Sequence, residues 1–404
     1  MSSIAGGICL YFATTTAAMG GIGGGGINVP VLFVIWGYSY STSLVLSLCA
    51  VFGNLMSQFM LNWGAVHPKI ENRPLIYWDV VMVLAPALLM GSRVGVVLSV
   101  VLPTTVLMAL AIVMLTFAAT MTGRKALKYY GMEQANMAQA IAEVNDTLVD
   151  EKLSRSSFSL SGNRSRANTQ ETMSNLLKGK EDHSLSYLTD EPPVKFPWKV
   201  IGYLVMLWLI FTCFLAGSHF TDRCSTAYWI VGFIFYLPFF FAINWSLGYA
   251  ARRQEKDPDM QQEGDVAFAD LGIAAPIMAF GIGMLCALLG IGGGELAGPL
   301  LVSMGLLPQV VAATSSMFSL YGSSATVIAT ALSTHLNIGT CLMVFGIGIC
   351  GGLSGRLLAI KVVSQLGRPS LTVFALVFCL LLSICGMVYA ISTDESDLEI
   401  EDYC

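Results

Sequence analysis

The chain has 404 residues, 55% hydrophobic and only 12% charged, with a mean hydropathy of +0.69 and a formal net charge of −5. A soluble domain of this length carries about twice that charged fraction, which excludes an ordinary soluble globular protein. The net charge says little about partners, and no nucleic-acid partner is expected; the apolar residues fall in long blocks, and that pattern makes the lipid bilayer the surrounding medium.

A helix needs roughly 20 apolar residues to cross a bilayer. In chain order, a first apolar stretch at 4–36 is too long for one crossing and is interrupted by glycines. No cleavable leader is evident in it, because it lacks a basic start. Single spans follow at 40–62, 77–101 and 103–123. Residues 124–197 are polar: 126–153 extend the preceding span as an exposed helix, and 154–192, rich in Ser, Asn and mixed charge, have the composition of a disordered linker. Spans at 199–217 and 227–249 lead to a charged loop at 251–266. A second long, glycine-interrupted stretch covers 267–304, followed by spans at 310–333, 338–360 and 370–391 and an acidic tail at 393–404.

The two glycine interruptions are copies of one another. Gly21-Ile22-Gly23-Gly24-Gly25-Gly26-Ile27-Asn28-Val29-Pro30 is matched by Gly290-Ile291-Gly292-Gly293-Gly294-Glu295-Leu296-Ala297-Gly298-Pro299. The pair Gly91/Gly95 is echoed by Gly351/Gly355. The chain therefore divides into a first transmembrane repeat (1–123), a polar cytoplasmic loop (124–197), two linking helices (198–250), a cytoplasmic loop (251–266), a second repeat (267–392) and a tail (393–404). Lys and Arg favour the cytoplasmic side when they flank spans in short loops. In the first half the loop at 63–76 carries Lys69 and Arg73 and the turn at Pro103 carries none. In the second half the turn at 334–337 is bare, and 361–369 carries Lys361 and Arg368. Equivalent loops lie on opposite sides, which makes the repeat inverted. The expected fold class is an all-α membrane protein, an inverted-repeat helical transporter with broken or re-entrant helices at the glycine runs.

Gly21-x-Gly23-x-x-Gly26 matches the dinucleotide fingerprint in letters only, since no strand or βαβ context surrounds it. No P-loop, nucleophile–base pair or clustered metal ligands appear, so the chain reads as neither an enzyme nor a primary pump, with no cofactor and no metal. Most of the ten cysteines lie in apolar spans, where Cys behaves as a small hydrophobe. Inside a membrane helix a glycine run interrupts the hydrogen-bond ladder, and such backbone survives only when buried in protein or lining a wet cavity. Each run starts a new half-helix, with Pro30 and Pro299 in its first turns, where a missing N–H is expected to be harmless. Such an N-terminus attracts anions without a basic side chain. Gly23, Gly24, Gly25, Gly292, Gly293 and Gly294 are accordingly candidate substrate-binding residues, whereas Gly91/Gly95 and Gly351/Gly355 read as close helix packing.

Asn28 and Glu295 follow the two runs, and Glu295 is a candidate carrier of a coupling proton. Arg93 has two readings, a counter-charge for an anion or a side chain that snorkels outward. Arg356 and Lys361 are expected to snorkel. Thr314, Ser315 and Ser316, with Ser43, Ser47, Asn54 and Gln58, either ligate an oxyanion or bond helix to helix.

These features resemble the TauE/SafE family of sulfite exporters, and its eukaryotic branch in particular. The paired glycine runs carry the resemblance, with Pro308-Gln309-Val310-Val311-Ala312-Ala313-Thr314-Ser315, Pro74-Leu75-Ile76-Tyr77-Trp78-Asp79 and Cys224-Ser225-Thr226-Ala227-Tyr228-Trp229. The resemblance implies a permease for sulfite, sulfonates or related organic anions. Glu295 and Arg93 depart from the family's more apolar pattern. Expected partners are a small anion, lipid and a coupling proton or other ion; an anion channel using the same site and a non-transporting scaffold or receptor are the alternatives. The sequons at Asn145 and Asn163 lie in the loop assigned to the cytoplasm, so glycosidase treatment is expected to leave the protein's gel mobility unchanged. A shift traced to Asn163 would reverse the orientation.

Overall fold

Both glycine runs break their helices, and the fold is built around those two breaks. The computed structural model describes residues 2–21, 23–67, 73–156, 196–219, 225–256, 266, 268, 272–290, 293–306, 308–333, 337–366 and 370–393. Among them the regular structure is helical, apart from an isolated bridge between Val66 and Pro74. The first half comprises α1 (Ser2–Met19), α2 (Gly25–Pro30) running on into a π-helical turn (Val31–Ile35), α3 (Tyr40–Asn62), α4 (Trp78–Val101) and α5 (Thr104–Ser156). Two linking helices follow, α6 (Trp198–His219) and α7 (Thr226–Lys256). The second half comprises α8 (Ala274–Leu289), α9 (Gly294–Ser303), α10 (Pro308–Ser333), α11 (Ile338–Leu366) and α12 (Ser370–Thr393).

Six of these helices are long and apolar enough to cross a membrane: α3, α4, α5, α6, α7 and α11. The helix α5 has 53 residues, so at 1.5 Å per residue it is about 80 Å long and continues well past a ~30 Å hydrocarbon core. The exposed extension expected at 126–153 is thus continuous with the span. The segment expected to be disordered lies almost wholly outside the described residues. Large apolar side chains face outward on the linking helices, among them Phe233, at 74% exposure, and Phe241, at 70%. A surface of that kind is suited to lipid.

The two halves are joined by exchange. The helix α4 of the first half packs along α8 of the second, and α11 of the second packs along α1 of the first. Glycine makes both contacts possible. A Cβ on Gly91 or Gly95 would overlap the carbonyl oxygens of Phe280 and Met284; on Gly351 or Gly355 it would overlap Thr14 and the carbonyl oxygen of Thr15. The Gly351 Cβ would also come within 3.2 Å of the Tyr11 carbonyl oxygen. Tyr11 and Thr15 stand to Gly21 as Phe280 and Met284 stand to Gly290. The same contact is therefore made twice with the halves interchanged, and small residues let the backbones touch. The helices α3 and α11 meet in the same manner, Gly53 on Phe345 and Gly348 on Ala50.

Polar contacts gather the charged helix ends. Arg253 Nη1 is 2.9 Å from Asp79 Oδ1, joining the end of α7 to the start of α4. The Ser370 backbone N–H donates to Glu133 Oε1 at 2.7 Å, joining α12 to the extension of α5. Arg356 corrects an expectation: it does not reach outward, because its Nη2 donates to Asn62 Oδ1 at 3.0 Å. The prolines also behave differently from the expectation. Pro30 and Pro299 are each the sixth residue of a half-helix, where the missing N–H is one the helix would use. The chain widens into π turns directly after Pro30. The linking helices are tied to the second half by Trp208 Nε1 donating to Ser324 Oγ (2.9 Å) and Tyr321 Oη donating to the Leu204 carbonyl (2.8 Å).

Gly95→Leu and Gly355→Leu are each expected to destabilise the protein by about 1–3 kcal/mol or more through overpacking. Gly202→Ala, where a Cβ would meet nothing within 4 Å, should be neutral or mildly stabilising. Melting of the purified protein in detergent compares the three.

Candidate functional site: two broken helices between α3 and α10

The breaks depend on glycine at particular backbone angles. Gly21 has φ +75°, Gly24 +81° and Gly290 +65°, a left-handed region that costs other residues about 1 kcal/mol or more. Gly290 caps the end of α8 in that conformation. Gly24 ends the first break, and its carbonyl accepts from the N–H groups of Ile27 (3.1 Å) and Asn28 (3.0 Å), starting α2. Gly293 starts α9 in a similar way, its carbonyl accepting from Ala297 N–H at 2.9 Å.

Two helices hold these breaks between them. A Cβ on Gly21 would lie 3.0 Å from Ala312 Cβ of α10, and a Cβ on Gly290 would lie 2.6 Å from Leu44 Cδ2 of α3. Counted from the paired glycines Gly37 and Gly305, Leu44 and Ala312 are equivalent positions, so each break opens against the other half's third helix. Gly23 lies against Val51 and Leu55, and Gly293 against Ser319, all on α3 or α10. Ser47 joins the two breaks: its Oγ lies 3.3 Å from the carbonyl oxygens of both Gly25 and Gly290.

Equivalent positions on the two sides hold different chemistry. In the first half, Asn54 Nδ2 donates to the carbonyls of Thr14 (3.2 Å) and Gly23 (3.1 Å), and Gln58 Nε2 donates to Asn54 Oδ1 (2.9 Å). Thr14, Asn54 and Gln58 correspond to Gly283, Gly322 and Thr326 in the second half. There the smaller residues leave a cavity of about 20 Å³ for the centre of a water-sized molecule, bordered by Gly293, Ser92, Cys286, Ser323 and Thr326. This is room for about one water. Its hydroxyls already donate to helix carbonyls, Ser92 to Leu89 at 2.8 Å and Thr326 to Gly322 at 2.9 Å.

The structure brings Gly23, Gly24, Gly25, Asn28, Gly293 and Gly294 to the two breaks. Gly292 lies outside the described residues; Glu295 is the second residue of α9, its side chain outside the description. Ser315 is buried one turn from Ala312, and its hydroxyl donates to the Ala312 carbonyl at 3.2 Å. Thr314 is used elsewhere: its oxygen accepts from Tyr77 N–H at 3.0 Å, capping the start of α4. Arg93 is half-buried on α4, between the two glycines that face α8. Tyr40 is a buried polar side chain that the sequence reading passed over. Its spacing to Ser43 and Ser47 on one helical face was the available signal.

This arrangement defines an integral, multi-pass α-helical membrane protein whose polar interior is organised by two glycine-broken helices. The profile of the family described as "Sulfite exporter TauE/SafE" matches residues 7–158 and 194–385, and the chain belongs to that family. It is a membrane transporter and not an enzyme. Among curated proteins it is similar to "Sulfite exporter TauE/SafE family protein 2" of Arabidopsis thaliana, 28% identical over 401 residues, covering 95% of this chain and 82% of the relative. Family protein 1 of the same plant is 26% identical over 398 residues, covering 95% and 80%. Family protein 5 is 26% identical over 383 residues, covering 91% and 78%. No solved structure matches the chain.

Asn54→Ala removes the side chain that satisfies two carbonyls beside the first break. It is expected to lower stability by about 1–3 kcal/mol, because buried acceptors are left without a partner. Melting of the variant beside the wild type reads this, and an unchanged midpoint would contradict the assigned role.

Proposed function

We propose that the protein is a secondary transporter of a small sulfur oxyanion, sulfite or an organosulfonate, working by alternating access around its two broken helices. The observation that carries this reading is the convergence of both breaks between α3 and α10, tied through Ser47. Broken helices facing one another at the interface of two repeats are the recurring site of such transporters. The glycine half-helices, with Asn28 on one side and Glu295 and Ser315 on the other, form the substrate region. Helix N-termini there supply partial positive charge of about half an elementary unit each. That charge helps offset the several kcal/mol needed to strip water from an anion.

The interchanged contacts of α4 with α8 and of α11 with α1 support two equivalent halves, 1–123 and 267–392. The charge pattern of the loops supports their inversion. The pairings Arg253–Asp79 and Glu133–Ser370 are consistent with one cytoplasmic side for the charged ends. The substrate class draws on the family's description as sulfite exporters and on the names of its plant members. Glu295 is the coupling group in this reading, carrying a proton at the start of α9, and Arg93 adds positive charge on α4.

Labelled sulfite or taurine uptake into liposomes containing the purified protein tests the proposal. Uptake is expected to saturate, to accelerate when unlabelled substrate is loaded inside, and to respond to a pH gradient. The response should disappear in Glu295→Gln. Uptake without acceleration by internal substrate would indicate a channel. The absence of sulfur-oxyanion flux from a well-folded preparation would overturn the proposal.

A further inference from the structure

Four buried side-chain atoms on α2 and the first turns of α3 have no hydrogen-bond partner: Asn28 Nδ2, Asn28 Oδ1, Ser43 Oγ and Tyr40 Oη. Asn28 and Ser43 are fully buried, and Tyr40 is 4% exposed. A buried polar group left unpaired costs more than a made hydrogen bond returns. Buried polar groups are almost always satisfied. Several orphans on two adjoining elements therefore point to a polar guest.

The register of the two elements sets Asn28 and Ser43 between two fixed contacts, with Tyr40 at one of them. The chain reverses through Trp36–Ser39, so α2 and α3 run past one another. Ser47 Oγ on the Gly25 carbonyl (3.3 Å) fixes one end of the pairing. The Phe33 and Tyr40 rings, with centroids 6.4 Å apart, fix the other. Asn28 and Ser43 fall between these two contacts. The Asn28 amide is turned back toward the break, since a Cβ on Gly24 would lie 3.8 Å from its Oδ1 and 3.9 Å from its Nδ2. Tyr40, Ser43 and Ser47 share one face of α3 by their spacing.

We infer that Asn28, Ser43 and Tyr40 form the seat of a single monovalent oxyanion. This deepens the transport reading and rests on it. The donor inventory is two amide N–H groups and two hydroxyls, with one spare acceptor in Asn28 Oδ1. From Gly25 to Asn62 the chain has no charged residue. A seat of neutral donors suits one negative charge and not two, because the cost of desolvating an ion rises with the square of its charge. Hydrogensulfite and organosulfonates fit, and sulfate does not. The spare acceptor takes the proton of hydrogensulfite or an N–H of an aminosulfonate. The equivalent positions in the second half are Ala297, Val311 and Pro308, which offer no polar side chain. The seat is thus single and lies on the first half, although the scaffold is repeated.

The test is uptake of labelled hydrogensulfite by the full-length protein in liposomes at mildly acidic pH, with methanesulfonate and sulfate as competitors. Tyr40→Phe, Ser43→Ala and Asn28→Ala are each expected to raise KM about ten- to a hundredfold, the value of a hydrogen bond to a charged group. Melting is read in parallel, and Tyr40→Phe, which keeps the ring packing, should melt like the wild type. Methanesulfonate should compete at least about tenfold better than sulfate. Unchanged KM in all three variants while the wild type transports would mean that the orphaned atoms hold only water; this overturns the seat and leaves the transport reading standing. Equal competition by sulfate would likewise overturn the monovalent seat. Failure of the wild type to take up hydrogensulfite or methanesulfonate would overturn the transport reading itself.

Discussion

A helix interrupted inside a membrane leaves backbone groups that hydrocarbon cannot satisfy, each costing several kcal/mol. The rest of this structure follows from having two such interruptions. They are covered by protein on both sides, by α3 and α10, and their carbonyls are met by Ser47 and Asn54. The covering helices must come close, and the glycine contacts of α4 on α8 and α11 on α1 allow that approach. Because each break opens against the third helix of the other half, neither half covers its own break alone. The exchange makes the two halves one body around a common centre.

Within that near-symmetric frame the chemistry is not shared equally. The first half fills the space beside its break with Asn54 and Gln58 and keeps unsatisfied polar atoms at Asn28, Ser43 and Tyr40. The second half has Gly322 and Ala297 at the corresponding positions and leaves a small cavity at Gly293. A duplicated scaffold can bury two breaks by one geometric rule while each copy diverges in polar content.

Much of the fold was legible in the sequence because its causes are local. Glycine runs break helices, and apolar length sets spans; the split of 4–36 and 267–304 needed nothing more. The pairing of Gly91/Gly95 with Gly351/Gly355 also signalled packing correctly, since backbone contact admits few other residues. Tertiary partners were less legible. Thr314 had the composition of a ligand and serves as a cap for α4, because the residue it meets is Tyr77, far away in sequence. Arg356 had the position of a snorkelling residue, yet Asn62 draws it inward. Tyr40 is an ordinary aromatic by sequence, and only its burial without a hydrogen-bond partner sets it apart. In each case the deciding neighbour lies on another element, beyond the reach of a periodicity argument.

A structure of the protein determined with methanesulfonate bound tests the central claim most directly. The account predicts the anion between α3 and α10, in contact with the first break and within hydrogen-bond reach of Asn28, with no Lys or Arg side chain required to hold it. An anion seated on Arg93 or at the charged helix ends, with both glycine breaks unchanged and empty, would contradict it.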